Sequence, residues 1–575
     1  MKESRIRMAV NDLMKKKEPA RTADLTTPWF DQPEIPWNEY PRPQLRRDSF
    51  FCLNGKWRFA INGEEKGEIL VPYAPEASLS GAPAPEAGDQ MTYEREFVLP
   101  AGFRKDRVLL HFGAVDQECT VYLNDMELGS HEGGYLPFSF DVTEQLRETN
   151  TLRVIAFDPL DHDLPYGKQK VARGGMWYTP VSGIWQTVWM ESVPENHIRS
   201  VKLEPSLDSV IVTVEGEGPF TVLCDGKTYR PKTNRFRIRP ENPRLWTPET
   251  PNLYDVVIRT PQDEVRTYFA LRTVSVGRVG QTPRILLNGK PYFFHGVLDQ
   301  GYWPDGLFLP GSPEGYTWDI KTMKSLGFNT IRKHIKIEPE RFYYDCDRLG
   351  MVVFQDLVNS GEYHYLRDTA IPTIGGRLAT YHEQPSERRR SFFLIHGEQT
   401  LAHLHNHPCI LLYTLFNEGW GQHDTRNLFD HFKAIAPDRI WNAASGWFKC
   451  SDSDVQSEHI YFGSLKMRPN GRRPLLLTEF GGYSWSVPDH RFNLDEEYGY
   501  QKFTNGWALQ EALSKLYRQD ILPQIQSGLC GTILTQLSDV EDETNGLATY
   551  DRSLVKVDAD SMAAIAAELT AEIDR

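Results

Sequence analysis

From about Gly280 to the C-terminus, short apolar runs alternate with stretches of helical periodicity, and this alternation limits the fold more than any other feature. It predicts strands near 292–298, 329–334, 351–357, 409–417, 440–445, 455–461, 474–480 and 530–538. Helical segments are predicted between them, near 314–326, 338–349, 425–435 and 499–525. Eight βα units in roughly 295 residues match the count and size of a TIM barrel.

Upstream, the pattern has period two. Residues 51–193 read as short alternating strands broken by Asn-Gly, Asn-Asp and Gly-Gly turns, which predicts an antiparallel sandwich. A shorter all-β stretch follows at about 197–277, the size of a small immunoglobulin-like sandwich. The predicted organisation is an N-terminal arm (1–30), a jelly-roll β-sandwich (31–195), an immunoglobulin-like β-sandwich (196–277) and a C-terminal (β/α)8 TIM barrel (278–575).

Several function classes are disfavoured. The 64 Lys and Arg against 78 Asp and Glu give a net charge of −14, which repels a phosphate backbone, so no nucleic-acid partner is expected. The longest apolar run, Cys409–Phe416, is far short of the ~20 residues that cross a bilayer, so no membrane association is expected. The basic N-terminus lacks an apolar stretch of secretory length. Seven scattered cysteines (52, 119, 224, 346, 409, 450, 530) without a C-x-x-C pair read as free thiols in a reducing compartment, and the cytoplasm is the expected location. "HLHNH" (His403, His405, His407) resembles a metal cluster but leads directly into Pro408 and a buried strand, so neither metal nor cofactor is expected. "ERRR" at 387–390 reads as a solvated helix face.

In a TIM barrel, chemistry sits at the C-terminal ends of the strands. Glu418 ends "CILLYTLFNE" and Glu479 begins the polar end of "PLLLTEFGG", each after an apolar run that must be buried. On strands four and seven they face each other across the barrel mouth. Paired carboxylates ~5–5.5 Å apart are what retaining glycoside hydrolysis uses, one protonating the leaving oxygen and one attacking the anomeric carbon. Spacing alone leaves open that either glutamate is a buried ion-pair partner.

Six motifs, in order along nearly the whole chain, resemble glycoside hydrolase family 2, the β-galactosidase and β-glucuronidase group. They are "VYLNDMELGSHEGGYLPFSFDVT", "PRLWTPETPNLYDVVI", "ILLNGKPYFFHGV", "NTIRKHIKIEPERFYYDCDRLGMVVFQDL", "NHPCILLYTLFNEGWGQ" and "LLLTEFGGYS". The resemblance implies a retaining exo-β-glycosidase with Glu418 as acid/base and Glu479 as nucleophile. It implies that Asn417 binds the sugar 2-hydroxyl and that Arg332 orients and ionises the nucleophile, with His334 on the same face. Asp299 and Asp356 are candidates for sugar hydroxyls, with structural salt bridges as the alternative. Tyr461 is placed on the nucleophile, with His459 on its face. Trp420, Gln422, Trp447, Trp485 and Gln536 are candidate pocket walls. Glu418 protonated beside an ionised Glu479 predicts a bell-shaped rate profile with an optimum between roughly pH 5 and 7.5.

Within this family, glucuronidases carry an Asn-x-Lys pair whose amide and ammonium bind the substrate carboxylate. The corresponding stretch here, "VEDETNGLATYDR", keeps Asn545 but has Leu547 at the lysine position. Glu541, Asp542 and Glu543 would repel a uronate if they face the pocket. The expected partner is therefore a neutral glycoside, with β-galactoside as the default. A uronidase using Arg552 or Arg367, an arabinosidase or galactofuranosidase, and a non-catalytic carbohydrate-binding protein are the alternatives. A homo-oligomer is left open.

Overall fold

The computed structural model describes residues 20–364, 367–368, 384–448, 450–463 and 465–573. The first sandwich packs a six-stranded antiparallel sheet, whose central strands are Gln90–Phe97 and Asn150–Phe157, on a four-stranded sheet centred on Val188–Val193 and Arg107–Phe112. The burial of Asn150–Phe157 alternates as its sequence does, sending Leu152, Val154 and Ala156 into a core with Trp57, Phe59 and Val121. The second sandwich sets three strands, Ser200–Pro205, Val210–Glu215 and Arg235–Ile238, against four others that include Tyr254–Arg259 and Glu264–Phe269.

The barrel strands are β1 (Phe294–Asp299), β2 (Thr330–Lys333), β3 (Val352–Asp356), β4 (Ile410–Thr414), β5 (Ile440–Asn442), β6 (Gln456–Ile460), β7 (Leu475–Gly481) and β8 (Leu529–Thr535). They form one parallel sheet in the order β5-β4-β3-β2-β1-β8-β7-β6. The ring is nearly closed, lacking only ladder pairing between β5 and β6 among the described residues. All eight strands begin within about two residues of the predicted segments' starts. Their residues are buried almost throughout, as strands covered on both faces must be.

The helices follow the prediction less closely. They are α1 (Glu314–Ser325), α2 (Glu340–Leu349), α3 (Glu387–Leu404), α4 (Thr425–Ile435), α5 (Gly506–Lys515) and α6 (Ala559–Ile573). Eight complete βα units are not formed: among the described residues no helix follows β5 or β6, where the chain is rich in Ser, Asp, Gly and Pro. Helix α3, of which the prediction covered only the "ERRR" run, begins at that run, with Ser386 Oγ accepting from Arg389 N at 3.0 Å. That run is not simply solvated. Arg389 is buried, and Arg388 pairs with Asp161 and Glu118 of the first sandwich.

Both sandwiches dock on the barrel. Trp246 donates Nε1–H to Asp347 O at 2.8 Å, and Arg272 donates Nε–H to Pro408 O at 3.0 Å. The 158–180 segment of the first sandwich reaches the barrel mouth, with Tyr166 N donating to Asn359 O at 3.1 Å and Gly361 N donating to His162 O at 2.7 Å. No helix among the described residues is long and apolar enough to cross a membrane. All seven cysteines are unpaired.

Candidate active site

Arg332, on β2, organises the C-terminal rim of the barrel. Its Nε donates to Asp356 Oδ1 (3.0 Å) and Oδ2 (3.1 Å), both at the end of β3. Nη1 reaches Glu479 Oε1 at 2.8 Å and Thr478 O at 3.0 Å, on β7. Nη2 reaches Asn417 Oδ1 at 2.9 Å and Ser445 Oγ at 3.1 Å. The guanidinium side chain is 1% exposed, so a permanent charge is buried and fully occupied, as burial requires.

Glu479 is held at both oxygens, Oε1 by Arg332 and Oε2 by the Tyr461 hydroxyl. Burial alone would raise its carboxyl, but the positive fields of His459, Arg332 and His334, together with the Tyr461 hydrogen bond, outweigh it and hold the pKa at about 2. Glu418 follows β4 through a run that keeps barrel register, its N–H donating to Ser445 O at 3.0 Å. The Glu418 backbone lies in the left-handed region, φ +54°, an uncommon conformation that points to a constrained site. His459 joins the two glutamates, with Nδ1 2.7 Å from Glu418 Oε1 and Nε2 3.7 Å from Glu479 Oε1. One oxygen of each glutamate and a nitrogen of this imidazole all lie within 4.8 Å of one another.

Such a trio offers metal-ligand atoms, but the guanidinium beside it does not suit a cation, since Arg332 Nη1 already sits 2.8 Å from Glu479 and 3.4 Å from His459. The histidines of "HLHNH" go to separate neighbours: His405 Nε2 lies 3.2 Å from Leu203 O, His407 Nδ1 lies 2.7 Å from Asp347 Oδ2, and His403 Nδ1 lies 3.9 Å from Glu340.

The other expected residues divide into two groups. Asn417 is central: its oxygen accepts from Arg332 and, at 2.7 Å, from Ser445 Oγ, and its side-chain amide nitrogen has no partner among the described residues. Tyr461 stacks on Tyr500 with centroids 4.3 Å apart, and Trp447 lies 6.4 Å from the His459 ring. By contrast, Asp356 is taken by Arg332 and by His334 Nδ1 at 3.0 Å, and Asp299 by Lys333 Nζ and the Gly301 N–H. Both form buried salt bridges, the alternative reading given for them above. Burial lowers the His334 pKa, opposed by its hydrogen bond to Asp356 and the charge on Glu479. Trp420 donates to Gly361 O at 2.6 Å and packs on Trp177. Gln422 is buried and donates to Thr425 Oγ1 at 3.1 Å, while Gln536 Nε2 donates to Glu543 and Asn545. Trp485 lines a separate cleft of about 600 Å³ with Arg491, Lys502 and Phe503.

Of the three acidic residues expected to repel a uronate, Glu541 and Asp542 do not face the site. They pair with Arg173 and accept backbone N–H bonds from Thr179 and Gly175. Glu543 alone turns toward the Gln536 end. Neither proposed substitute arginine is free, since Arg552 binds Asp319 and lies over Trp303, and Arg367 binds Asp368. Leu547 is buried. Ser445, Thr478 and Thr535, whose small hydroxyls and carbonyls complete the network, carry no signal in the sequence.

Comparisons with known proteins agree with this architecture. Residues 84–208 match the glycosyl hydrolase 2 galactose-binding domain-like family, 200–272 match glycosyl hydrolases family 2, and 280–518 match the glycosyl hydrolases family 2 TIM barrel domain. A β-galactosidase of Thermoanaerobacter pseudethanolicus is 24% identical over 436 residues, 69% of this chain and 54% of that enzyme. The chain thus spans about half the length of that relative. A β-glucuronidase of Rattus norvegicus is 24% identical over 463 residues, 67% of each chain. Among solved structures, a β-D-glucuronidase of Dictyoglomus thermophilum superposes with a TM-score of 0.72 at 19% identity, covering 92% of this chain and 98% of that one. Three successive domain matches in the family's order, over a fold shared along nearly the whole length, make this chain a member of glycoside hydrolase family 2.

Proposed function

We propose that the protein is a retaining exo-β-glycosidase acting on a neutral terminal sugar, with β-galactosides as its substrates. The observation that carries this reading is the close approach of Glu418 and Glu479, with oxygens within 4.8 Å of each other. An inverting pair stands ~6.5–9.5 Å apart to admit a water, whereas a retaining pair is closer because one carboxylate attacks directly. Glu479, ionised by its neighbours, attacks the anomeric carbon while Glu418 donates its proton to the departing oxygen. Glu418 then takes a proton from the water that breaks the glycosyl ester, returning both groups to their starting state. The Asn417 amide hydrogens meet the 2-hydroxyl, Arg332 and Tyr461 fix the attacking carboxylate, and His459 sets the orientation of Glu418. The exo mode rests on family membership. Preference for a neutral sugar is supported by the buried Leu547 and by the engagement of Arg552 and Arg367 elsewhere.

Glu479→Ala is expected to lower turnover of aryl β-galactosides by several orders of magnitude, with azide restoring activity and yielding the α-glycosyl azide. Wild-type rates in that variant would sink the assignment. The sugar is decided by comparing kcat/KM for aryl β-galactoside and aryl β-glucuronide. A glucuronide preference of about tenfold or more, about 1.4 kcal/mol, overturns the neutral-sugar reading.

A further inference from the structure

The 158–180 segment of the first sandwich does more than dock. Three consecutive carboxylates after β8 meet it. Arg173 Nη1 lies 3.4 Å from Glu541 Oε2 and 3.2 Å from Asp542 Oδ1. Thr179 N donates to Glu541 Oε1 at 2.8 Å and Gly175 N to Asp542 Oδ2 at 3.1 Å, so both of these side chains are engaged at both oxygens. Glu543 is different. The Tyr178 hydroxyl and Gln536 Nε2 both donate to Oε2, each at 2.7 Å, and among the described residues no donor reaches Oε1.

That oxygen belongs to the neighbourhood of the nucleophile. Gln536 follows Thr535, whose Oγ1 is 3.2 Å from the Tyr461 hydroxyl, and that hydroxyl donates to Glu479. Burial raises the Glu543 carboxyl, Lys168 and its two hydrogen-bond donors lower it, and the charge on Glu479 raises it again. Lys168, half-buried on the same segment, holds Nζ 5.4 Å from the Trp177 ring centroid, and its ammonium has no hydrogen bond or ion pair among the described residues. Trp177 lies 4.9 Å from Trp420, two residues beyond Glu418. An open acceptor from the barrel and an open donor from the sandwich therefore lie beside the same site.

We propose that Glu543 Oε1 and Lys168 Nζ form a subsite for hydroxyls of the terminal sugar remote from its anomeric carbon, and that Glu543 is the specificity-determining residue that rejects a uronate there. Tyr178 is its positioning residue. A hydroxyl donates and accepts, so a neutral sugar satisfies the carboxylate and the ammonium together. A substrate carboxylate satisfies only the ammonium and meets Glu543 as a like charge. The first sandwich is thereby part of the substrate site, and this subsite rests on the glycosidase reading above.

The test uses the full-length protein as wild type and as Glu543→Gln, Lys168→Met and Tyr178→Phe, assayed on aryl β-galactoside and aryl β-glucuronide. A 2-deoxy-2-fluoro-β-galactoside label, located by mass spectrometry, reports the nucleophile separately. Glu543→Gln is expected to lower kcat/KM for the galactoside about 30-fold, mainly through KM, and to shift the sugar ratio at least about tenfold toward the glucuronide. Tyr178→Phe should move the ratio the same way by less, and Lys168→Met should raise KM for the galactoside. Lys168 is partly exposed, so its variant carries the test if Glu543→Gln does not fold. Label on Glu479 with sugar ratio and KM within about twofold of wild type in all folded variants overturns the subsite alone. Absence of both label and turnover in the wild type overturns the glycosidase reading and the subsite with it.

Discussion

Arg332 shows how one residue can set the chemistry of a site. Its guanidinium reaches Asp356, Glu479, Thr478 O, Asn417 and Ser445 at once, a geometry that requires a planar fork of N–H groups. Lysine offers one point charge and cannot span them. Arg332→Lys is therefore expected to lower kcat/KM by about 10³ or more, about 4 kcal/mol of transition-state stabilisation. The sign of the pH effect follows from Glu479. Its pKa of about 2 keeps it ionised well below pH 4, and loss of the guanidinium moves that pKa up. The acid limb of kcat/KM for an activated aryl galactoside should shift to higher pH in the variant, and an unmoved limb would mean Arg332 does not control the nucleophile. Glu418 and Glu479 were legible as candidates in the sequence because each is a polar residue at the end of an apolar run, whereas Asn417, Arg332, His459 and Tyr461 were pointed to by the family resemblance. Glu543 and Tyr178 were not legible as partners, because their hydrogen bond spans a separation of 365 residues and no local pattern encodes it.

At the scale of elements, apolar runs located strands better than periodicity located helices. A barrel strand is buried on both faces and leaves a contiguous aliphatic run, as in the "ILLYT" of β4. Helix α3 carries its own obscuring feature. Phe392–Ile395 is a contiguous apolar run, and Gly397 interrupts the pattern because the Phe432 ring packs there, 2.5 Å from where a Cβ would stand. Helix ends are more strictly coded. Helix α2 stops at Gly350, φ +77°, whose N–H caps Cys346 O at 3.0 Å. A Cβ there would clash with Pro248 O in the second sandwich, where Lys324 Nζ already bridges Pro248 O and Gly350 O. Gly350→Ala combines left-handed strain with a backbone clash at the sandwich–barrel junction. It should destabilise the protein by about 2–4 kcal/mol, read as a lower urea midpoint, and a midpoint equal to wild type would show that the junction yields freely.

For the molecule as a whole, buried carboxyls set a pH window for stability. Glu76, Asp116 and Asp158 lie together in the first sandwich with no basic partner among the described residues; Glu76 accepts from Ser182, Asp116 from Gln169, and Asp158 from the Leu160 N–H. Burial, opposed by the Ser182 hydrogen bonds, pushes Glu76 up to about 8. Burial likewise pushes Asp158 up to about 7, and Asp116 rises well above the carboxylate range through burial and the charge on Asp158. At the sandwich–barrel contact, burial raises Glu541 to about 7 despite Arg173. In the unfolded chain these groups lose their protons near pH 4, while the folded protein keeps them to higher pH. Between those limits the native state binds more protons than the unfolded state, so stability falls as pH rises. Their contribution is complete below about pH 4 and declines as pH rises through the folded pKa of Asp158, about 7, and that of Glu76, about 8. Glu479 and Asp356 have the opposite sign: their depressed pKa values stabilise the fold above about pH 4, a contribution lost as acid titrates them. The urea midpoint should therefore peak in mildly acidic solution and fall from about pH 5 to about pH 8, with Glu76 contributing on the order of a few kcal/mol over its full range. Glu76→Gln keeps a neutral hydrogen-bonding group in place and should flatten that decline, leaving the acid side unchanged. A wild-type midpoint that is level from about pH 5 to about pH 8, or a Glu76→Gln profile of the same slope, would show that these carboxyls are already ionised in the native fold.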